Sequence, residues 1–236
     1  MARPGQAHQL ETIVIAGEAP TLVFLHEGLG SARGWRDFPA RLCELTGRAG
    51  FVYSRRGYGD SQPLPGPWPV SFMHDEAALL PEIFPGVDDA ILVGHSDGAS
   101  IALIHGRARA MVLLAPHVFV EQKSVDSIAL LGDEVRERLR RRHGEQTDST
   151  FAAWRDIWLS PVFRSWNIED AVSRVTCPLL LIQGQDDEYG TAAQLASIEA
   201  RARGPVSTVL LEHCGHSPHR DQPDATLAAA RRFILD

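Results

Sequence analysis

Short apolar runs alternate along this chain with longer stretches in which apolar residues recur every three or four positions. The short runs are rich in Val, Ile, Leu and Phe, a composition typical of buried strands. They predict strands at 11–16, 21–26, 50–54, 90–93, 110–114, 178–183 and 206–211. The periodic stretches predict helices at 33–45, 72–83, 99–106, 192–203 and 223–235. This alternation predicts an α/β fold with a mainly parallel, doubly wound sheet.

The alternation stops between about 116 and 176, where no strand pattern is found. We therefore predict one domain over 1–236, with a helical cap inserted at about 116–176. Within the insert, Val125–Arg142 predicts a single amphipathic helix. Its apolar face would carry Ile128, Leu131, Val135 and Leu139.

The second half of the insert is rich in aromatic residues, among them Trp154, Trp158, Phe163 and Trp166. Two interpretations stay open: these rings pack the insert onto the main domain, or they line an apolar pocket. We take the pocket as the working prediction and name all four as substrate-binding residues. An insert at this point in the chain would cover the carboxyl edge of the sheet.

The composition of the chain excludes some classes of binding partner. The chain has 236 residues, 44% of them hydrophobic, and a net charge of −7. This length is enough for one sizeable core, and the negative charge argues against a nucleic-acid partner. No run of 18 apolar residues is present, so we expect no membrane partner. Residues 1–8 lack the apolar segment of a signal peptide, and we expect a cytoplasmic protein.

The stretch Gly94-His95-Ser96-Asp97-Gly98 joins a predicted strand to a predicted helix. Glycines two positions before and after a serine suit a very tight turn, because side chains there would clash with the backbone. Such a turn holds the serine hydroxyl above the sheet, in front of the N-terminus of the following helix. The spacing therefore indicates that Ser96 is a nucleophile; the plainer alternative is a Gly-rich turn with an incidental serine.

A serine hydroxyl needs a base, and the base must itself be oriented. In an open parallel sheet, such groups lie just past the carboxyl ends of strands. Two later strands are followed by suitable side chains: Asp186, Asp187 and Glu188 after 178–183, and His213, His216 and His219 after 206–211. The chain order Ser, acid, His is that of a serine hydrolase built on an α/β sheet.

Four blocks together resemble the α/β-hydrolase family over nearly the whole chain. They are His26-Glu27-Gly28-Leu29-Gly30-Ser31, Arg56-Gly57-Tyr58-Gly59-Asp60-Ser61, Gly94–Gly98, and the paired acid and Gly-His segments. In that family the acid usually lies three residues after the glycine that ends its strand, which favours Asp187 over Asp186. The family's histidine usually follows a glycine and precedes a proline by two positions, which favours His216.

The resemblance also implies an oxyanion hole made by the backbone N–H of Asp97 and an N–H of the Gly28-Leu29 turn. Glu27 stands where the commonest family pattern has glycine. A carboxylate beside an anion-stabilising site would oppose it electrostatically. We therefore expect the Glu27 side chain to point away, toward Arg55 or Arg56.

These features predict a serine hydrolase that cleaves carboxylic esters of small to medium acyl or alcohol groups through an acyl-enzyme. One alternative is a carbon–carbon bond hydrolase or lyase that acts on a diketone-like acid with the same triad. Another is a ligand-binding receptor on the same fold. We expect no cofactor, and no metal because the histidines lack a ligand spacing. The expected partner is a small-molecule ester, and a homodimer stays open.

Overall fold

A computed structural model describes residues 9–64 and 66–236; residues 1–8, where we expect no signal peptide, and Pro65 lie outside this description. Over these ranges the chain forms a sheet of seven strands in the order β1-β3-β2-β4-β5-β6-β7. The strands are β1 Thr12–Ile15, β2 Glu18–Leu25, β3 Arg48–Tyr53, β4 Ile91–His95, β5 Ala110–Leu114, β6 Leu179–Gly184 and β7 Val206–Leu211. Strand β1 pairs antiparallel with β3, and every other pairing is parallel.

The described ranges also contain ten α-helices. They are α1 Phe38–Thr46, α2 Phe72–Ile83, α3 Asp97–His105, α4 Gln122–Ala129, α5 Asp133–His143, α6 Thr147–Leu159, α7 Glu169–Val172, α8 Ala192–Arg201, α9 Pro218–Asp221 and α10 Pro223–Leu235. The predicted α/β fold with its mainly parallel sheet is confirmed. No helix in this part of the chain is both long and apolar enough to cross a membrane.

Two apolar cores lie on the two faces of the sheet, because successive side chains of a strand point to opposite faces. One core joins the sheet to α2, α3 and α8 and includes Val23, Leu25, Leu92, Met111, Leu113 and Leu181. The other joins it to α1 and α10 and includes Leu22, Phe24, Val93, Val112, Leu114 and Ile182. Strands buried on both faces read as continuous apolar runs, which is why the sequence marks them clearly.

The predicted single helix Val125–Arg142 is wrong. The chain forms α4 and α5 instead, separated by a turn in which Leu130 is 85% exposed. Gly132 is extended in front of α5 (φ −114°, ψ −164°), and glycine has the lowest helix propensity after proline. Asp133 and Glu134 then begin a new helix, where acidic side chains favour the positive pole of the helix dipole.

The predicted helix 33–45 is also interrupted. A short 3₁₀ turn at Ala32–Trp35 is followed by Arg36 with a φ of 57°, and α1 begins only at Phe38. Pro39 in the first turn of α1 favours this late start, since proline fits the first helical positions.

Candidate active site

Ser96 lies in the tight turn between β4 and α3. Its backbone has a φ of 52° and a ψ of −119°, a strained conformation for a residue with a side chain. A Cβ at Gly98 would lie 1.9 Å from the Leu25 carbonyl oxygen, and one at Gly94 would lie 2.6 Å from Cα of Ala99. Only glycine fits at both positions, so the close approach of the backbone explains the spacing around Ser96.

His216 lies in the loop between β7 and α9, and its Nε2 is 2.9 Å from Oγ of Ser96. Its backbone is held on two sides. The carbonyl of His216 lies 2.7 Å from Nε2 of His95, and its N–H donates to Oε2 of Glu188 at 3.1 Å. These two hydrogen bonds fix the main chain of His216 and so hold its imidazole next to Ser96.

Asp187 follows β6, and its Oδ1 lies 2.8 Å from Nδ1 of His216. The same oxygen accepts the N–H groups of Tyr189 at 2.8 Å and Gly190 at 3.2 Å. Oδ2 accepts from Nε2 of Gln183 at 3.1 Å. The neighbouring Asp186 side chain is exposed. The structure therefore brings Asp187, and not Asp186, to the histidine.

The pKa shifts of Asp187 and His216 favour transfer of a proton from Ser96 to His216. Burial alone raises the pKa of Asp187, but the charge and hydrogen bond of His216 outweigh it and lower that pKa below its usual range. For His216, burial acts to lower the pKa, and the Asp187 charge and hydrogen bond outweigh it, so the pKa is raised. The carboxylate stays ionised and stabilises the imidazole when it gains a proton.

The residues predicted to form an oxyanion hole lie just past the ends of β2 and β4. Gly28 and Leu29 line the same cavity as Ser96, and Asp97 follows Ser96 in the turn. Within residues 9–64 and 66–236, the N–H groups of Leu29 and Asp97 donate to no other group. Both donors are therefore available to an anion, as an oxyanion hole requires.

Trp154 of α6 contacts both the Gly28-Leu29 turn and Asp97. Its Nε1 donates to Oδ2 of Asp97 at 2.9 Å. A Cβ at Gly28 would lie only 2.2 Å from the same Nε1, so the indole rests directly on the Gly28 backbone. A side chain from the inserted segment thus supports both turns that hold the N–H groups.

Arg55 is fully buried behind the site. Its guanidinium donates to the carbonyls of His26 at 2.5 Å and Glu27 at 3.1 Å, and it lies 4.6 Å from the Tyr58 ring centroid. It is also 3.9 Å from the Asp97 carboxylate. Burial raises the pKa of Asp97, although Arg55 acts in the opposite direction.

The expected partners of Glu27 are wrong. Its carboxylate accepts from Arg220 of α9 at 2.8 Å and lies 3.9 Å from Arg142 of α5. Arg55 is occupied by backbone carbonyls, and Arg56 pairs with Glu76 at 3.3 Å. Neither Arg55 nor Arg56 is left to bind the Glu27 carboxylate.

A cavity of about 230 Å³ opens onto Ser96 and His216. The main domain contributes polar groups to its wall, including Glu27, His95 and Arg220. The inserted segment contributes most of the apolar wall: Ile128, Leu131, Val135, Leu139, Trp154 and Trp158. The insert therefore roofs the cavity.

Comparison with known proteins agrees with this geometry. The profile of the Alpha/beta hydrolase family matches residues 22–230. The chain belongs to the α/β-hydrolase family. It is 24% identical to Esterase Rv0045c of Mycobacterium tuberculosis, over 97% of this chain and 87% of that protein.

Solved structures show the same fold. An esterase from Exiguobacterium antarcticum superposes with a TM-score of 0.74 at 16% identity, covering 96% of both chains. A thermophilic esterase from Thermogutta terrifontis gives 0.73 at 18% identity, covering 95% of this chain and 92% of that one.

Two of the four aromatic residues predicted to bind substrate in this α/β-hydrolase do not line the cavity. Trp154 and Trp158 do, whereas Phe163 and Trp166 pack behind Trp158, with ring centroids 5.0 and 6.3 Å from it. Trp158 shields both from the cavity. Both lie in the apolar core, which is the packing role that the sequence left open.

Four residues that line the cavity, but that we did not predict to bind substrate, are marked in the sequence by an amphipathic pattern. The sequence predicts Ile128, Leu131, Val135 and Leu139 as the apolar face of one helix, and these residues line the cavity from α4, α5 and the turn between them. Arg142 carried no local signal, because a basic helix end is usually solvated.

Proposed function

We propose that this α/β-hydrolase is a serine carboxylesterase in which Ser96 is the nucleophile, His216 the base and Asp187 the orienting acid. The observation that carries this proposal is the unbroken chain of hydrogen bonds from Ser96 through His216 to Asp187, at 2.9 and 2.8 Å. A receptor has no need of such a chain. The names of the esterase relatives give further support.

In the proposed reaction, Oγ of Ser96 attacks the ester carbonyl carbon while Nε2 of His216 takes the hydroxyl proton. The N–H groups of Leu29 and Asp97 receive the negative charge that develops on the carbonyl oxygen. Collapse of this intermediate breaks the bond to the alcohol oxygen, which takes the proton from His216. Water, deprotonated by His216, then attacks the acyl-enzyme and releases the acid and the free serine.

The proposed substrates are small to medium esters. A cavity of about 230 Å³ lies below the usual range for drug-sized ligands, about 300–1,000 Å³. Its roof of aliphatic and indole side chains favours short apolar groups over long acyl chains. The expected partner is accordingly a small-molecule ester.

The test is hydrolysis of 4-nitrophenyl esters from two to sixteen carbons by the wild type, Ser96→Ala and Ser124→Ala. Ser124 lines the same cavity, but its hydroxyl donates to the Tyr189 carbonyl. We expect Ser96→Ala to lower kcat by about 10⁴-fold or more and Ser124→Ala to retain most activity. A fluorophosphonate should label Ser96 alone.

Two results would contradict the proposal. One is near-normal turnover by folded Ser96→Ala protein, or a fluorophosphonate adduct on another serine. The other is negligible hydrolysis of every ester together with rapid cleavage of a vinylogous diketone acid, which would indicate a carbon–carbon bond hydrolase.

A further inference from the structure

One part of the cavity wall carries two guanidinium groups and a single carboxylate. Arg220 donates to Oε1 of Glu27 and to the carbonyl of Gly34, both at 2.8 Å. Arg142, from the cap helix α5, reaches the same Glu27 oxygen only at 3.9 Å, which is beyond hydrogen-bond distance. In the described ranges, the guanidinium of Arg142 donates no hydrogen bond, although the side chain is only 28% exposed.

This part of the wall has an excess of positive charge. Both guanidiniums stay charged at any ordinary pH. Burial acts to raise the pKa of Glu27, but Arg220 and His95 outweigh it, so that pKa lies well below its usual value and the carboxylate is ionised. Two positive groups against one negative group leave one positive charge. Arg36 and Arg138 add to the positive potential around Arg142.

The other carboxylate of the wall does not cancel this charge locally. Oε2 of Glu188 accepts the backbone N–H of His216, which places it beside the catalytic histidine. Arg142 is therefore a half-buried cation whose nearest counter-ion, Glu27 at 3.9 Å, is held more closely by Arg220 at 2.8 Å. Burial is the main cause of the lowered pKa of Arg142, a sign that its charge is poorly compensated. An anion in the cavity would offset this cost.

We propose that Arg142, with Arg220 in the same part of the wall, binds a free carboxylate group of the substrate, so that the preferred substrates are small esters carrying an ionised carboxyl group. This inference rests on the proposed esterase function and deepens it. A single carboxylate matches the single excess charge, whereas a phosphate monoester would bring nearly two charges. A guanidinium also offers paired N–H donors in the geometry of a carboxylate.

The test compares esters matched in chain length, with acid release followed at constant pH. Ethyl hydrogen glutarate against ethyl pentanoate tests a carboxylate on the acyl side. 4-Acetoxybutanoate against butyl acetate tests one on the alcohol side. We expect kcat/KM of the wild type to favour the acidic ester in one pair by about tenfold to a hundredfold, the effect typical of one charge-assisted hydrogen bond.

Arg142→Gln should remove most of this preference, mainly through KM, and Arg142→Lys should keep part of it. Arg141→Gln is the matched control, because Arg141 is the adjacent exposed arginine and does not line the cavity. It should leave both rates unchanged. Calorimetry on Ser96→Ala protein gives a readout independent of turnover: ethyl hydrogen glutarate or 4-acetoxybutanoate should bind, and Arg142→Gln should weaken that binding.

The failures of the two proposals are distinguishable. If the wild type cleaves no ester of either pair, the esterase function itself fails. If both members of each pair are cleaved equally well, or if Arg142→Gln leaves the preference intact, carboxylate recognition by Arg142 is wrong and the esterase proposal stands.

Discussion

The carboxyl edge of the sheet and the helical segment above it are built in different ways. At the sheet edge, Ser96, Asp187 and the backbone of His216 are held by several hydrogen bonds each, and Gly94 and Gly98 leave no room for a side chain. In the segment above, aliphatic side chains from two helices and the turn between them line the cavity and are held by packing alone. Hydrogen bonds fix the positions of the reacting side chains, whereas apolar packing determines which substrates fit the cavity.

Hydrogen bonds join the two regions at α4, α5 and α6. Ser124 and Ser127 of α4 donate to the carbonyls of Tyr189 and Glu188 at 2.5 and 2.6 Å. His143 at the end of α5 accepts the N–H of Gly59, and Thr150 of α6 donates to the Gly57 carbonyl at 2.5 Å. Trp154, one turn further along α6, reaches Asp97. Variants at the sheet edge should therefore reduce turnover of every substrate, and variants in the roof should redistribute substrates. Trp154 is the residue at which the two effects should meet.

The largest effect is expected for Asp187→Asn. Loss of the carboxylate leaves His216 in the wrong tautomer and its imidazolium unstabilised, which costs about 10⁴-fold in kcat in the comparable protease triad. The matched control is Asp186→Asn, since the exposed Asp186 side chain lies next in sequence and does not contact the histidine. Steady-state hydrolysis of a short 4-nitrophenyl ester measures both.

The pH profile gives this prediction a second readout. In the wild type, kcat/KM should rise with pH as His216 loses its proton, with a midpoint above the ordinary histidine pKa because Asp187 raises the pKa of His216. Removing that charge lowers the pKa, so the midpoint of the residual Asp187→Asn activity should move to lower pH. A large loss in Asp186→Asn with little in Asp187→Asn would reverse the assignment.

The sequence predicts the sheet and the helices beside it better than it predicts the roof of the cavity. Strands Ala110–Leu114 and Val206–Leu211 and helices Phe72–Ile83 and Pro223–Leu235 have the predicted bounds, because the local pattern of apolar residues determines them. In the roof, one glycine divides a continuous amphipathic pattern into two helices. The partner of Glu27 is 193 residues away, so no local pattern could reveal it.

Trp154→Phe should give the next largest effect, a fall of about tenfold to a hundredfold in kcat. The variant keeps a ring over Gly28 but removes the hydrogen bond to Asp97, whose Oδ1 already lacks a partner within the described residues. A less well-fixed Asp97 loosens the N–H donor that follows Ser96, and loss of one oxyanion donor outright costs about 10²–10³-fold. The measurement is kcat and KM on the same short ester.

Trp158→Phe is the matched control for that variant. Trp158 lines the same cavity from the same helix, but its Nε1 has no hydrogen-bond partner in the described part of the chain. It should change KM more than kcat. Equal falls in kcat for the two variants would mean that Trp154 acts only as a wall of the cavity.

The smallest effect is a change of chain-length preference in Leu139→Ala. Leu139 is buried in the roof, and the truncation enlarges the cavity without touching the hydrogen bonds at the sheet edge. In the wild type, kcat/KM should rise over the first few acyl carbons and fall beyond about eight. Each further CH₂ that the variant accommodates contributes about 0.8 kcal/mol, or about fourfold, so its optimum should move to longer chains. Leu130→Ala, at the exposed turn between the same two helices, should leave the optimum in place. A wild-type rate that climbs steadily to sixteen carbons would mean an open groove, and the contrast between a fixed edge and an adjustable roof would then not describe this enzyme.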